Sequence, residues 1–139
     1  MIAGVGIDLV DIDRVAGLLQ RHREGFLRRI LHPEEDAARA ARPEGTSYVA
    51  GLFAAKEAVM KALGTGMAGA AFRDIAVLRE PGGKPYVRLA GGARERARAL
   101  GITGWEVSIT HSRRAAAAVA LAWRAGGERG GSREPPPPS

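Results

Sequence analysis

Apolar and polar residues alternate from Ile2 to Val10, with Val5, Ile7 and Leu9 on one face and Gly4, Gly6 and Asp8 on the other. A period of two predicts a strand, aliphatic on one side and bare around a single carboxylate on the other. Asp11 or Asp13 then caps a short helix through Val15, Leu18 and Leu19. Glu24 to Ala41 reads as short helices interrupted at His32-Pro33, where proline makes a good first helical residue. Gly45-Thr46-Ser47 opens the longest helix, which runs to about Leu63 and stops at Gly64-Thr65-Gly66. A mobile, Gly/Ala-rich link follows from Met67 to Ala71. Phe72 to Arg79 and Pro85 to Leu89 are strand-like, joined by the turn Pro81-Gly82-Gly83-Lys84. Ala93 to Leu100 predicts a helix, and Trp105 to His111 a strand with Val107, Ile109 and His111 on one side. Ala115 to Trp123 stays open: alanine favours helix, whereas the short spacing after a strand favours a hairpin partner. From Ala125 onward the Gly/Pro-rich sequence has no means of burying itself and reads as a disordered tail. One domain over 1–124 and a tail over 125–139 are expected, with no internal repeat.

The long helix carries the first chemistry. Val49, Leu52, Phe53, Val59, Met60 and Leu63 form one broad apolar stripe at the helical angle. Its other faces are mostly small, with Ala50, Gly51, Ala54, Ala55, Ala58 and Ala62, which suits close packing on several sides. Lys56 falls in the middle of the stripe, where an ammonium without a partner is costly. Glu57 and Lys61 lie four apart and share one edge. On spacing alone they are an ordinary surface pair worth about 0.3–0.5 kcal/mol, but the buried look of their surroundings favours function. The Gly-Thr-Gly end lets backbone approach a ligand closely and is equally a routine helix stop. His111, in Ser108-Ile109-Thr110-His111-Ser112, is by default a half-buried histidine; the hydroxyls and Arg113-Arg114 around it suit an anion. Gly83-Lys84-Pro85 is an exposed tight turn whose lysine suits a phosphate.

Composition adds a partner class and removes others. The 139 residues carry a net charge of +6, so acidic partners are plausible. Hydrophobic residues make up 45% and charged residues 26%, an ordinary balance for a soluble globular domain. No stretch is apolar for long enough to span a bilayer, and the first residues carry acids where a secretory signal carries basic ones. With no cysteine there is neither a disulfide framework nor a thiolate metal site, and a cytoplasmic location is the default expectation. Arginine supplies nearly all the positive charge; Lys56, Lys61 and Lys84 are the only lysines, and so are candidates for a compact ammonium acting on phosphate. No Walker-type loop or GxGxxG occurs, which leaves standard nucleotide-binding folds without support. A small basic nucleic-acid-binding protein is the rival class, but aromatics are only 5% and no binding motif is present.

Three blocks, GVGIDLVDIDRV near the start, FAAKEAVMKALGTG on the long helix and VSITHSRRAAAAVA near the end, together resemble the holo-[acyl-carrier-protein] synthase family. These are the small class of 4′-phosphopantetheinyl transferases. The GGKP turn falls between the second and third blocks, as it does in that family, and the match spans about Ile2 to Trp123. The resemblance implies an α/β (α+β) fold in which an antiparallel sheet wraps a long central helix, assembled as a homotrimer with active sites between subunits. It implies magnesium-dependent transfer of 4′-phosphopantetheine from coenzyme A to a serine of apo acyl carrier protein. Adenosine 3′,5′-bisphosphate would be released, and the pathway served would be fatty acid biosynthesis. By the match, Asp8 and Glu57 are magnesium ligands, Glu57 is also a possible base, and Lys61 contacts the pyrophosphate. Gly64, Lys84, Pro85, Thr110 and His111 would hold coenzyme A, with Thr110, His111 and the Gly83-Lys84-Pro85 turn at the adenosine 3′-phosphate end and coming from the neighbouring subunit. Arg14 falls where the family places an arginine against the acidic carrier, and Arg21 lies on the same positive surface. Nucleic acid and membrane are not expected partners.

The chemistry agrees with that match. Magnesium takes oxygen ligands, commonly one or two carboxylates plus substrate phosphate. This sequence departs from the family at three places. Val10 stands where larger two-lobed relatives carry another acid, Thr110 and Ser112 are exchanged relative to the commoner order, and Ala115 to Ala118 is unusually bland for a final strand.

Overall fold

Alanine and glycine decide how this chain packs. The computed structural model describes residues 1–42, 45–65 and 71–126. Most of the expected link from Met67 and the tail from 127 lie outside the described residues. The order is β1 (Ile2–Asp11), α1 (Ile12–Ile30), α2 (Pro33–Ala40), α3 (Thr46–Leu63), a 3-10 turn (Phe72–Asp74), β2 (Ile75–Arg79), β3 (Pro85–Leu89), α4 (Gly91–Ala99), β4 (Gly104–His111) and β5 (Ala115–Trp123). Both sheets are antiparallel: one in the order β1-β5-β4, the other the β2-β3 hairpin. All of α3 is buried except Thr46, Ser47, Glu57 and Lys61.

Two of the three strands, β1 and β5, meet α3 with a face almost without side chains; β4 adds Val107 and Ile109. Gly4 and Gly6 of β1 and Ala116, Ala118, Ala120 and Ala122 of β5 point toward the helix, and the four alanines are 0–4% exposed. A methyl carbon built on Gly6 would stand 1.9 Å from the carbonyl oxygen of Ala58, and one on Gly4 2.3 Å from that of Ala62. Backbone therefore meets backbone, and no larger residue fits either position. The run that leaves Ala115 to Trp123 open between helix and strand is a strand because its small residues face α3. Helix propensity loses to tertiary packing there.

The opposite face of this sheet is aliphatic and bare. Val5, Ile7 and Leu9 are 56%, 67% and 71% exposed, and Val119 and Trp123 of β5 lie on the same side at 38% and 37%. The aliphatic side of the first strand is thus its outward side.

Several expected boundaries move. Asp11 caps α1, its side chain accepting from the Asp13 amide at 3.1 Å, but the helix is long, continuing to Ile30 past a non-helical His22. The arginine-rich stretch around His22 hides this continuation, since it carries no apolar period. Phe72–Asp74 forms a 3-10 turn where a strand was expected, and β2 begins only at Ile75. The Asp74 carboxylate then accepts the Gly92 amide at 3.2 Å, which starts α4 at Gly91, two residues earlier than expected.

Candidate active site

Asp8 lies on the inner face of β1, opposite Ala118, and reaches past the small residues to the edge of α3. There Lys61 Nζ donates to Asp8 Oδ1 at 3.2 Å and to the Ile7 carbonyl at 3.0 Å. Asp8's side chain is only 12% exposed, whereas that of Lys61 is 55% exposed, so the ammonium faces solvent from a fixed base. Glu57 lies one turn before Lys61. Partial burial first, then the Asp8 carboxylate, push its pKa above the ordinary glutamate value, with Lys61 and Arg14 pulling the other way. Arg14, in the first turns of α1, therefore belongs to the same electrostatic group. Two carboxylates, an ammonium and a guanidinium converge where β1, α1 and α3 meet.

At the end of α3, Gly64 adopts φ +76°, the left-handed conformation that glycine tolerates, and its amide returns to the Met60 carbonyl at 2.9 Å. Arg96 from α4 closes this end by donating Nε to the Leu63 carbonyl at 3.0 Å. The cation complements the negative end of the helix dipole one turn beyond Lys61.

The remaining expected residues lie apart from this group. His111 is on the inner side of β4, in register with Ala116 and Val10, two strands across the sheet from β1. Ordinary strand spacing makes that separation about 10 Å. His111 borders a cavity of about 300 Å³ together with Arg42, Ser47, Tyr48 and Arg79. Thr110 points to the opposite, outward face of β4, so the two side chains do not address one ligand from one side. Lys84, in the hairpin turn, pairs with Glu106 of β4 at 2.9 Å, and that carboxylate raises its pKa. Pro85 follows as the first residue of β3. Arg21 is exposed, two helical turns along α1 from Arg14.

Residues 4–121 match the family model described as the 4′-phosphopantetheinyl transferase superfamily. The chain belongs to this superfamily. Among curated relatives, it is 52% identical over 122 residues to the holo-[acyl-carrier-protein] synthase of Solidesulfovibrio magneticus, covering 87% of this chain and 98% of that one. The synthase of Alkaliphilus metalliredigens is 41% identical and covers 88% of this chain and 99% of its own. Among solved structures, the synthase of Neisseria meningitidis superposes with a TM-score of 0.84 at 33% identity, covering 89% of this chain and 100% of that chain. That of Helicobacter pylori, solved in complex with coenzyme A, gives 0.76 at 32% identity, covering 86% and 99%. The chain is accordingly an enzyme of the phosphopantetheinyl transferase type with holo-[acyl-carrier-protein] synthase function, and its fold is the mixed α/β fold of those structures.

Sequence reasoning about this transferase missed three arginines and one acid. Arg42 and Arg79 reach the His111 cavity from the segment before α3 and from the end of β2, and Arg96 caps α3. Excess arginine hid them, because nothing in their spacing separates them from solvated neighbours. The missing partner of Lys56 is Glu35, 2.6 Å away and fully buried with it.

Proposed function

We propose that this transferase moves the 4′-phosphopantetheine group of coenzyme A onto a serine of an acidic apo acyl carrier protein. The reaction is magnesium-dependent, leaves adenosine 3′,5′-bisphosphate and serves fatty acid biosynthesis in the cytoplasm. The observation that carries this reading is the convergence of Asp8, Glu57 and Lys61 at one edge of α3, where partial burial and then the Asp8 carboxylate raise the Glu57 pKa.

The residues present fit a divalent cation. The donors are carboxylate oxygens, as magnesium prefers, and the raised pKa of Glu57 comes partly from the Asp8 charge, a repulsion that a cation between them relieves. Asp8 and Glu57 would hold the ion, which when bound supplies charge neutralisation on the diphosphate. Lys61, anchored by Ile7 and Asp8, presents a fixed ammonium to the same diphosphate. The backbone of Gly64 lets the substrate chain pass closely. The serine oxygen forms the new bond to phosphorus as the bond to the departing bisphosphate breaks, and the serine proton passes to Glu57, to Asp8 or to a bound water.

The enzyme works as a homotrimer in this reading. The exposed aliphatic face of β1 and β5 is the kind of surface that subunits cover. Within one subunit His111 and Lys84 stand away from Asp8, which supports a site completed by a neighbour's Lys84, Pro85 and His111 on the adenosine end of the coenzyme; Thr110, on the outward face of β4, does not join His111 there. Arg42 and Arg79 add positive charge to that cavity. Arg14 and Arg21 face the acidic carrier and speed its encounter.

Incubation with coenzyme A, apo carrier and magnesium, followed by chromatography of the nucleotides, tests the reading. Adenosine 3′,5′-bisphosphate should appear in step with carrier consumed and stop when a chelator is added. Its absence across several apo carriers sinks the proposal.

A further inference from the structure

Lys56 neighbours Glu57 in sequence but faces another side of α3, where nothing of the metal site lies. Its side chain is fully buried, and its ammonium is nonetheless completely partnered. Nζ donates to Glu35 Oε1 at 2.6 Å, to the Phe72 carbonyl at 3.0 Å and to the Ile75 carbonyl. Glu35 is equally engaged: Oε1 also accepts the His32 amide at 2.9 Å, and Oε2 accepts the Val77 amide at 2.6 Å. Burial pulls the Lys56 pKa down and Glu35 holds it up.

One ion pair thus fastens the start of α2, the middle of α3, the 3-10 turn and β2 at a single point. Stability alone is a poor reason for it, since well-packed apolar residues often replace a buried ion pair without loss. What an apolar pair lacks is direction. The hydrogen bonds to Ile75 and Val77 fix where β2 sits along α3. The β2-β3 ladder, with Val77 opposite Val87 and Arg79 opposite Pro85, carries that placement out to the Lys84 turn. The hairpin's other ties, Arg88 with Glu34 and Lys84 with Glu106, are half-exposed and weak. From Val77 to the turn is about 10–13 Å of strand, so a rotation of about 5° at its base moves Lys84 by about 1 Å.

We propose that the Lys56–Glu35 pair is a positioning device for the coenzyme's 3′-phosphate. It sets where the Lys84 turn projects from the subunit's core, and so where Lys84 meets the coenzyme held by the neighbouring subunit. This rests on the assignment of Lys84 to the adenosine end of coenzyme A made above. Neither Lys56 nor Glu35 touches substrate; both act through the hairpin.

The test compares coenzyme A with 3′-dephospho-coenzyme A as substrate for the full-length enzyme. It uses the double variant Lys56→Met/Glu35→Leu, which removes both charges together, and Glu35→Gln, which keeps the shape. Folding is checked by circular dichroism and thermal melting. The double variant should fold and raise KM for coenzyme A about tenfold, leaving KM for the dephospho substrate within about twofold and kcat little changed. Glu35→Gln should shift the same ratio less. Equal losses on both substrates, or a double variant that does not fold, would assign the pair to stability and overturn the proposal. An unaltered enzyme indifferent to the 3′-phosphate overturns the Lys84 assignment first, and the positioning role with it.

Discussion

Replacing Gly6 with alanine tests whether α3 really seats on bare backbone. The new methyl would lie 1.9 Å from the Ala58 carbonyl oxygen, 2.8 Å from its carbon and 2.9 Å from the Ala62 nitrogen. Since real contacts of this kind are not closer than 3.0 Å, β1 and α3 must part by about 1 Å. All three obstructing atoms are main chain, so no rotamer change relieves them. Overpacking of this kind costs about 1–3 kcal/mol, and at the upper end it lowers Tm by about 5–15 °C for a domain of this size. Asp8 is two residues along the same face, and Lys61 bonds to Ile7 and Asp8 at 3.0 and 3.2 Å, so the same displacement opens the site. We expect kcat/KM to fall about 100-fold at a temperature where the variant is still folded. Calorimetry and initial rates measure the two effects separately. Gly25→Ala is the control: nothing lies within 4 Å of the added carbon, and a helical alanine should raise stability by up to about 1 kcal/mol. A Gly6→Ala enzyme with unchanged melting and unchanged rate would refute the packing and the site built on it.

Asp8→Ala and Glu57→Ala should each abolish turnover at ordinary magnesium, a fall of at least about 10³-fold; a near-normal rate for either removes that residue from the metal site. Ile7→Lys on the outward face should dissociate the oligomer with helix and strand content intact, and light scattering should then find an inactive monomer. Because the folded pKa of Glu57 is raised, its proton stabilises the metal-free native state below the unfolded carboxylate pKa. That contribution is lost as pH rises through the folded value. Glu57→Gln should flatten this part of the melting-versus-pH curve, and an unchanged slope would assign it elsewhere. Arg21→Glu should raise KM for the carrier several-fold and weaken its salt dependence while KM for coenzyme A holds; equal effects on both substrates would place Arg21 outside the carrier surface.

What could be read from sequence tracks how local each cause is. The first strand and α3 are legible because alternation, the glycine caps and the apolar stripe all act within one element. β5 is not, because its alanines take their meaning from a helix more than fifty residues away. Asp8 draws notice in sequence as a single carboxylate on a bare strand face and Glu57 as half of a pair with Lys61, but their joint role as candidate metal ligands comes from the family resemblance. Their electrostatic coupling, like the Lys61–Asp8 bond, depends on β1 crossing α3. Glu35 escaped notice for a similar reason. An acid in the first turn of a helix is an ordinary dipole partner, and only the fold brings Lys56 to it across 21 residues. Thr110 and His111 are adjacent in sequence, yet strand alternation sends them to opposite faces.

The intact mass of an apo acyl carrier protein after incubation with this enzyme, coenzyme A and magnesium decides whether the transfer takes place. The carrier should be heavier by one phosphopantetheine group, with the mass lodged on a single serine and no gain when Asp8→Ala replaces the enzyme. A carrier of unchanged mass, or one modified equally well by the Asp8→Ala protein, would contradict the proposed mechanism.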